Sequence, residues 1–138
     1  MNKTKLFLSF TATSLLLFGC GGSSEVTKED QFKENGYEDF EGNFRKDDKE
    51  NSSDYIIFSF YDDTKNNSFD SYKSGESISY FYNNDIARIG TCKFDFNTDK
   101  AKDNTSCSDQ EIKKVKDIKA SFDNEMKELN LTIEDLNK

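Results

Sequence analysis

Alternating apolar and polar positions predict β-strands in the middle of the chain. Residues 55–61, 77–82 and 86–96 are rich in β-branched and aromatic residues and are bounded by polar clusters. The segment 83–85 between the last two is Asn-Asn-Asp, and these residues tolerate the positive φ that a tight hairpin turn requires. We therefore expect three antiparallel strands in meander order, with residues 62–75 as a polar loop.

The larger apolar side chains of each predicted strand fall on one face, because successive strand residues point to opposite sides. They are Ile56, Phe58 and Phe60 in the first strand, Ile78, Tyr80 and Tyr82 in the second, and Cys92, Phe94 and Phe96 in the third. Gly90 inside the third strand indicates a β-bulge. Tyr55, Tyr61 and Phe81 are left to face outward, where they predict a contact surface.

The end of the chain follows a helical period. Its apolar stripe consists of Ile112, Val115, Ile118, Phe122, Met126 and Leu129. Ser108 and Glu111 fit a capping box, which predicts that the helix begins there, and Thr132 predicts a second cap before a short terminal helix. The stripe is too short for a coiled coil, so packing against the sheet is favoured over binding to a partner helix.

Residues 20–53 predict a flexible acidic tether. Gly-Gly-Ser-Ser at 21–24 is linker composition, and the charged run that ends at residue 53 cannot bury enough apolar surface to fold alone. Four aromatic residues recur within it at near-helical spacing, namely Phe32, Tyr37, Phe40 and Phe44. They favour a short helix or an extended arm that lays aromatic rings on the following domain, and a separate aromatic recognition motif is the alternative.

Residues 1–19 predict a secretory signal peptide. Lys3 and Lys5 precede an apolar segment from Leu6 to Phe18, which is shorter than the roughly 20 residues that span a bilayer. Export places the chain in an oxidising compartment, where a disulfide is the default state of Cys92 and Cys107, the two cysteines that lie beyond the predicted signal peptide and the adjoining Cys20. We expect a bond between Cys92 and Cys107, worth about 3 kcal/mol for a closed loop of this length.

The segment Leu17-Phe18-Gly19-Cys20 resembles the lipobox of bacterial lipoproteins. In that family a diacylglycerol is attached to the cysteine, and cleavage then leaves the cysteine as the first residue. The resemblance implies lipidation of Cys20 and a location at the cell membrane. Gly21, under the sorting rule of Gram-negative lipoproteins, implies the outer membrane, with the domain facing the periplasm or the cell surface.

Composition narrows the possible functions. Removal of residues 1–19, which include two of the 19 basic residues, leaves 17 basic and 27 acidic residues and a net charge of −10. That balance disfavours nucleic acid and is compatible with a basic protein or a cation as partner. The chain has no histidine, which removes the commonest general base, imidazole-based triads and most zinc sites. We expect no enzymatic activity and no cofactor.

Two acidic stretches contain residue types that could form a metal site or a catalytic site. Residues 95–99 begin like a calcium loop, with Asp103 as a further oxygen donor, but Lys100 stands where the loop requires Gly and Ser106 where it requires Glu. We therefore predict no metal site there. The other stretch contains Asp62, Asp63 and Asp70, which carry the chemistry of a glycosidase acid pair. Nothing in the sequence fixes their separation, so solvated loop charges are the preferred interpretation.

These observations predict an α+β domain over residues 54–138, in which a small antiparallel sheet of about three strands packs against an amphipathic C-terminal helix and one disulfide joins them. The predicted function is a non-catalytic binding or interaction role in the cell envelope. The alternatives are an inhibitor or exclusion factor against a basic exported protein, and a binder of a small ligand or a cation.

Overall fold

The computed structural model describes residues 25–138 and shows an antiparallel sheet with three helices on one of its faces. The predicted signal peptide and Cys20 lie outside these residues. The strands are β1 Glu38–Phe40, β2 Asn43–Asp47, β3 Tyr55–Ser59, β4 Ser68–Lys73, β5 Glu76–Phe81, β6 Ile86–Ile89, β7 Cys92–Asp95 and β8 Lys100–Ala101. The helices are α1 Lys28–Glu34, α2 Asp109–Leu129 and α3 Ile133–Leu136, and a single 3₁₀ turn covers Thr64–Asn66.

The predicted sheet of about three strands is wrong, because the sheet has eight strands that pair in sequence order. Residues 62–75, predicted as a polar loop, contain the central strand β4. Residues 86–96, predicted as a single strand, form β6 and β7, which are joined by a two-residue turn rather than interrupted by a bulge. Residues 38–47 and 100–101 add the remaining three strands.

Short hairpin turns account for much of this difference. Glu41-Gly42 joins β1 to β2, and Ser74-Gly75 joins β4 to β5. Both residues of each pair have positive φ, at 54° and 83° in the first pair and 52° and 79° in the second. Positive φ at both central residues defines the type I′ turn, whose twist matches that of the flanking strands. Each pair therefore closes a hairpin where the sequence analysis placed tether or loop.

The folded part begins before residue 54. Phe32 of α1 is fully buried and its ring stacks on Phe44 of β2 at 4.2 Å between centroids. Tyr37 is also buried, and its hydroxyl donates a hydrogen bond of 2.6 Å to Glu125 of α2. The aromatic rings of residues 28–47 thus supply one end of the core, which is why this charged stretch is structured rather than a free tether.

The core lies between the helices and the face of the sheet that they cover. Phe122 of α2 is its centre, with ring centroids within 6 Å of Phe58, Phe69, Tyr80 and Tyr82 on three neighbouring parts of the sheet. Aromatic pairs in such tilted and edge-on arrangements add about 0.5–1.5 kcal/mol each beyond the area they bury. The apolar face predicted for each strand is the face that α2 covers.

The predicted C-terminal helix is confirmed. Ser108 caps α2 and Glu111 completes the capping box, so the first turn has partners for its free backbone donors. The Cys92–Cys107 disulfide is also present and joins β7 to the residue before the cap. Asn130, in the left-handed conformation, ends α2, and Thr132 caps α3. Within residues 25–138 no helix has the length and apolar character needed to cross a membrane.

Candidate functional site

One face of the sheet carries no helix of residues 25–138, and we call it the open face. It is formed by the alternate strand residues that point away from the core. The strand register aligns Arg45, Ile57, Asp70, Ser79 and Arg88 in one row across five strands of this face. A row of this kind brings together side chains that are far apart in the sequence, so the open face is where a composite surface can form.

An aromatic cluster, defined as Phe40, Arg45, Tyr55 and Tyr72, lies on the β1–β4 half of the open face. The rings of Tyr55 and Tyr72 stack at 4.5 Å between centroids, and the Arg45 guanidinium lies 3.7 Å from the Tyr55 ring and 5.8 Å from that of Phe40. Phe40 is 50% exposed and Tyr72 is 37% exposed. Exposed aromatic and arginine side chains in contact with one another are enriched at protein interfaces.

Arg45 is held in position by a second contact. Its Nε donates a 2.6 Å hydrogen bond to Asp47 of the same strand. The guanidinium is therefore fixed between an acidic partner and two aromatic rings, an arrangement that combines charge pairing with cation–π attraction. The cluster thus presents a preordered surface, which reduces the conformational entropy lost when a partner binds.

The centre of the open face is polar and buried. Asp70 is 6% exposed, and its carboxylate accepts hydrogen bonds from the Ser59 hydroxyl at 3.1 Å and the Ser68 hydroxyl at 2.8 Å. Ile57 lies beside it at 8% exposure. Since its hydroxyl partners belong to β3 and β4, Asp70 cross-links the two strands at the middle of the face. We interpret Asp70 and its two hydroxyl partners as structural residues that hold the strands of the open face together.

A basic pocket, defined by Lys65, Arg88, Lys93 and Lys102, lies at the other end of the open face. It encloses a hollow of about 230 Å³ that is also lined by Phe81 and Ile86, two neighbours across β5 and β6. Asp103 is its acidic member, and that carboxylate pairs with Lys93 at 3.0 Å. The protein as a whole has a net charge of −8, so the positive charge of this end of the open face is opposite in sign to that of the whole molecule.

The outward aromatic residues predicted from the sequence only partly define the face. Tyr61 is 56% exposed and Tyr55 and Phe81 are half-buried, but only Tyr55 belongs to the aromatic cluster. Sequence reasoning assigned Phe40 to an arm and did not single out Tyr72 as a surface residue, because each lies in a stretch predicted as tether or loop. The alternation that marks a strand is weak around Tyr72, whose nearest apolar neighbour in β4 is Phe69, three residues away.

The two acidic stretches do not gather into sites. Asp95 accepts a hydrogen bond from the backbone of Asn97 at 2.9 Å, Asp99 pairs with Lys116 at 3.5 Å, and Asp103 pairs with Lys93. These three carboxylates therefore take part in a turn and in ion pairs around β7 and β8. Of the other stretch, Asp63 caps the 3₁₀ turn by accepting from the Lys65 backbone at 3.1 Å, whereas Asp70 lies at the centre of β4.

A polar network on the covered face has the residue types of a proton-transfer site. Lys119 of α2 donates to the Tyr80 hydroxyl at 2.8 Å and contacts Asp85 at 2.5 Å, and the Tyr80 hydroxyl donates to Asp85 at 2.8 Å. Burial raises the pKa of Tyr80 to about 12, and the Asp85 contact adds to the rise while Lys119 opposes it. Tyr80 is only 3% exposed, so we interpret the network as the attachment of α2 to the β5–β6 turn.

No family model, curated protein or solved structure matches this chain. The interpretation of the open face therefore depends on its own residues and geometry.

Proposed function

We propose that the mature chain is a lipid-anchored, non-catalytic binding protein of the bacterial cell envelope, and that it binds a protein partner through the open face. The observation that carries the proposal is the aromatic cluster, in which exposed rings and a fixed guanidinium lie on the face that no helix of residues 25–138 covers. The core does not need these rings. Exposing the apolar surface of these rings to water is unfavourable, and a partner that covers the rings removes this unfavourable hydration.

The anchor is part of the proposal and has its own test. Lipidation of Cys20 predicts that Cys20→Ala abolishes acylation and releases the protein from the membrane fraction, because alanine has no thiol to which the lipid can be attached. Acylation is measured by mass spectrometry of the N-terminal peptide. An N-terminal peptide of the unchanged chain that carries no acyl mass, or unchanged membrane retention of Cys20→Ala, would contradict the anchor, and the binding role of the open face would remain to be tested separately.

The partner experiment uses the intact envelope. Mild cross-linking, purification through the C-terminus and mass spectrometry identify what the protein contacts. The variant that removes the stacked pair is Tyr55→Ser with Tyr72→Ser, and the matched control is Ile133→Ser on α3, since Ile133 is 39% exposed and Tyr72 is 37% exposed. We expect one defined partner with the unchanged chain and the control, and at least a tenfold loss of recovery with the double variant.

Two results would contradict this proposal. The first is recovery of the same partner by the Tyr55→Ser, Tyr72→Ser chain at an undiminished level, which would place the interface elsewhere. The second is recovery of no protein by any of the chains under conditions that cross-link a known envelope complex. A far-UV circular dichroism spectrum of each variant establishes that loss of recovery reflects the surface and not the fold.

An inhibitor or exclusion factor against a basic exported protein is the second candidate, and one observation favours it. Residues 25–54 contain 11 acidic and five basic side chains, so more than half of the net charge of −10 lies in this first part of the described chain. Charge complementarity of this kind raises association rates and makes a complex salt-sensitive. Loss of the cross-linked partner at raised salt identifies this candidate, whereas a complex held by the aromatic cluster persists.

A further inference from the structure

The basic pocket has a charge excess that the protein itself does not neutralise. Lys93 pairs with Asp103, and the ion pairs found within residues 25–138 do not include Lys65, Arg88 or Lys102. These three residues line a hollow of about 230 Å³. Grouping like charges in one place is unfavourable unless a counter-charge arrives, so the pocket is suited to an anion.

The local charge outweighs the acidity of the whole protein at this position. Interactions between exposed charges are largely screened beyond about 8 Å at physiological ionic strength. An anion in the pocket therefore experiences its four basic side chains, Asp103 and the neighbouring Asp95, which pairs with Ile86, more strongly than the acidic residues of β1 at the opposite edge of the sheet. The net charge of the chain reduces long-range attraction, whereas the lining of the pocket decides which group binds there.

We propose that the basic pocket binds the phosphate group of a small molecule or of a lipid headgroup. A phosphate has several oxygens that accept the two-pronged donors of Arg88 and the ammonium groups of the lysines. Phe81 and Ile86 add an apolar wall, which suits a carbon chain attached to the phosphate better than it suits a bare inorganic ion. This inference deepens the proposed function by naming a ligand chemistry for the same open face, and it rests on that face being a binding surface.

The walls of the pocket are held in place by side-chain hydrogen bonds. The Asn84 amide donates to the Lys65 carbonyl at 2.7 Å, and the Asn83 amide donates to the Thr64 carbonyl at 2.7 Å. Asn137, after α3, exchanges hydrogen bonds with Asn83 at 2.8 and 3.0 Å. The 3₁₀ turn, the β5–β6 turn and the C-terminus are therefore fixed to one another, and the position of Lys65 is set before a ligand binds.

The position of the chain's N-terminal end supports a lipid headgroup as one source of the phosphate. Lys28, at the start of α1, donates to the Leu136 carbonyl at 3.1 Å, and the next residue, Asn137, contacts the β5–β6 turn beside the pocket. An extended chain spans at most about 3.6 Å per residue, so the eight residue-to-residue steps from Cys20 to Lys28 reach roughly 28 Å. A lipid on Cys20 therefore keeps this end of the domain close to the membrane surface.

The test titrates the full chain, purified from membranes in an uncharged detergent, and follows backbone amide NMR shifts. One arm adds inorganic phosphate, with chloride at matched ionic strength as its reference. The other arm adds phosphatidylglycerol to the micelles, with phosphatidylcholine as its reference. Lys102→Glu reverses a charge inside the pocket, and Lys113→Glu makes the same change on the exposed surface of α2. A thermal unfolding curve for each variant confirms folding.

We expect saturable shifts at Arg88, Lys102 and Phe81 in at least one arm, weakened about tenfold or more by Lys102→Glu and little by Lys113→Glu, since a charge-assisted contact is lost only in the first. Shifts with inorganic phosphate identify a free phosphate compound, and shifts with phosphatidylglycerol alone identify a headgroup. No saturable shift in either arm, or equal weakening by both variants, overturns the proposal. Neither result depends on recovering a protein partner, so its failure is distinct from that of the proposed function.

Discussion

Two buried tyrosines give opposite predictions for the same chemical change. The Tyr37 hydroxyl donates to Glu125 at 2.6 Å, and that carboxylate is 17% exposed and also contacts Lys46 at 3.2 Å. The Tyr82 hydroxyl is buried and makes no hydrogen bond of standard geometry within residues 25–138, although the Asn67 side chain lies close enough to oppose the rise that burial causes in the Tyr82 pKa. Its polar neighbour Asn67 uses its amide for the Tyr61 backbone and for Asn137. Replacing each tyrosine with phenylalanine removes one hydroxyl and preserves the ring.

The expected magnitudes follow from what each hydroxyl does. Tyr37→Phe removes a hydrogen bond to a charged acceptor and leaves a half-satisfied carboxylate, so it lowers the free energy of unfolding by about 2 kcal/mol. Tyr82→Phe removes a buried donor that costs desolvation and makes no bond, so it raises the free energy of unfolding by about 1 kcal/mol. The two variants should therefore differ by about 3 kcal/mol in their free energies of unfolding. The ring at position 82 keeps its stacking on Phe122 in Tyr82→Phe, so packing does not contribute to this difference.

Urea unfolding followed by far-UV circular dichroism measures this difference, and it avoids fluorescence because the chain has no tryptophan. An unchanged slope of unfolding free energy against urea shows that only stability has changed. A Tyr82→Phe variant destabilised as much as Tyr37→Phe would refute the reasoning, because it would mean that the Tyr82 hydroxyl has a partner in solution. The ring of Tyr37 is retained in Tyr37→Phe, so lost packing cannot account for the expected decrease.

Three further predictions concern the disulfide, the cap of α2 and alkaline pH. Replacing Cys92 and Cys107 with alanine removes a link across 15 residues and lowers stability by about 3 kcal/mol in the chain-entropy model, and thermal unfolding of the unchanged chain with and without a reductant gives an independent measurement of the same loss. Ser108→Ala lowers the free energy of urea unfolding by about 1 kcal/mol, whereas Ser106→Ala, before the cap, changes it by less than about 0.5 kcal/mol. The folded-state pKa of Tyr80 is raised to about 12 by burial, so the folded state binds this proton more tightly than the unfolded state does. The stability that it contributes is complete below about pH 10 and is lost as the pH rises toward 12, which urea unfolding at a series of alkaline pH values detects as a slope that decreases in Tyr80→Phe.

Helix α2 was predictable because its signals are local and agree with one another. Ser108 and Glu111 lie three residues apart and satisfy backbone donors of the same turn, and the apolar stripe that ends at Leu129 keeps a helical period over the whole element. Both cysteines of the disulfide were predictable by elimination, once export was inferred. In each case the physics that forms the element acts between residues that are close in the sequence or few in number.

The missing strands had no comparable signal. All three residues of β1 are exposed, and β4 places only Phe69 on the core with a polar residue on either side. These strands exist because their backbones pair with neighbours and because type I′ turns direct them there. Glu41-Gly42 and Ser74-Gly75 are weaker indicators of a type I′ turn than the common Asn-Gly pair. These two hairpins were therefore not predicted from the sequence.

The composite surfaces could not be predicted even with every strand assigned. Arg45, Tyr55 and Tyr72 belong to three strands, and their contacts depend on the register of two successive hairpins. A slip of one residue in either register moves a ring from the open face to the core. The basic pocket has the same dependence, since Lys65 comes from a turn and Lys102 from the far end of the sheet. Register is a property of the assembled sheet and cannot be obtained from any one segment.

The distribution of apolar residues explains why the open face is available for binding. Only 33% of the chain is apolar, and the core between the sheet and the helices takes most of the large side chains, including Phe44, Phe94 and Phe122. A chain with this composition has enough material for one packed layer and not for a second, so within residues 25–138 no helix covers the other face of the sheet. The rings of Phe40 and Tyr72 are then surplus to the core, and their cost in exposed apolar surface is offset only when something covers them. The same shortage makes the disulfide and the two capping boxes at the C-terminus important for stability, because small cores leave little margin. Stability therefore depends mainly on the covered face, and in the proposed function recognition depends on the exposed side chains of the open face. Substitutions on the open face should accordingly change binding at little expense to the fold.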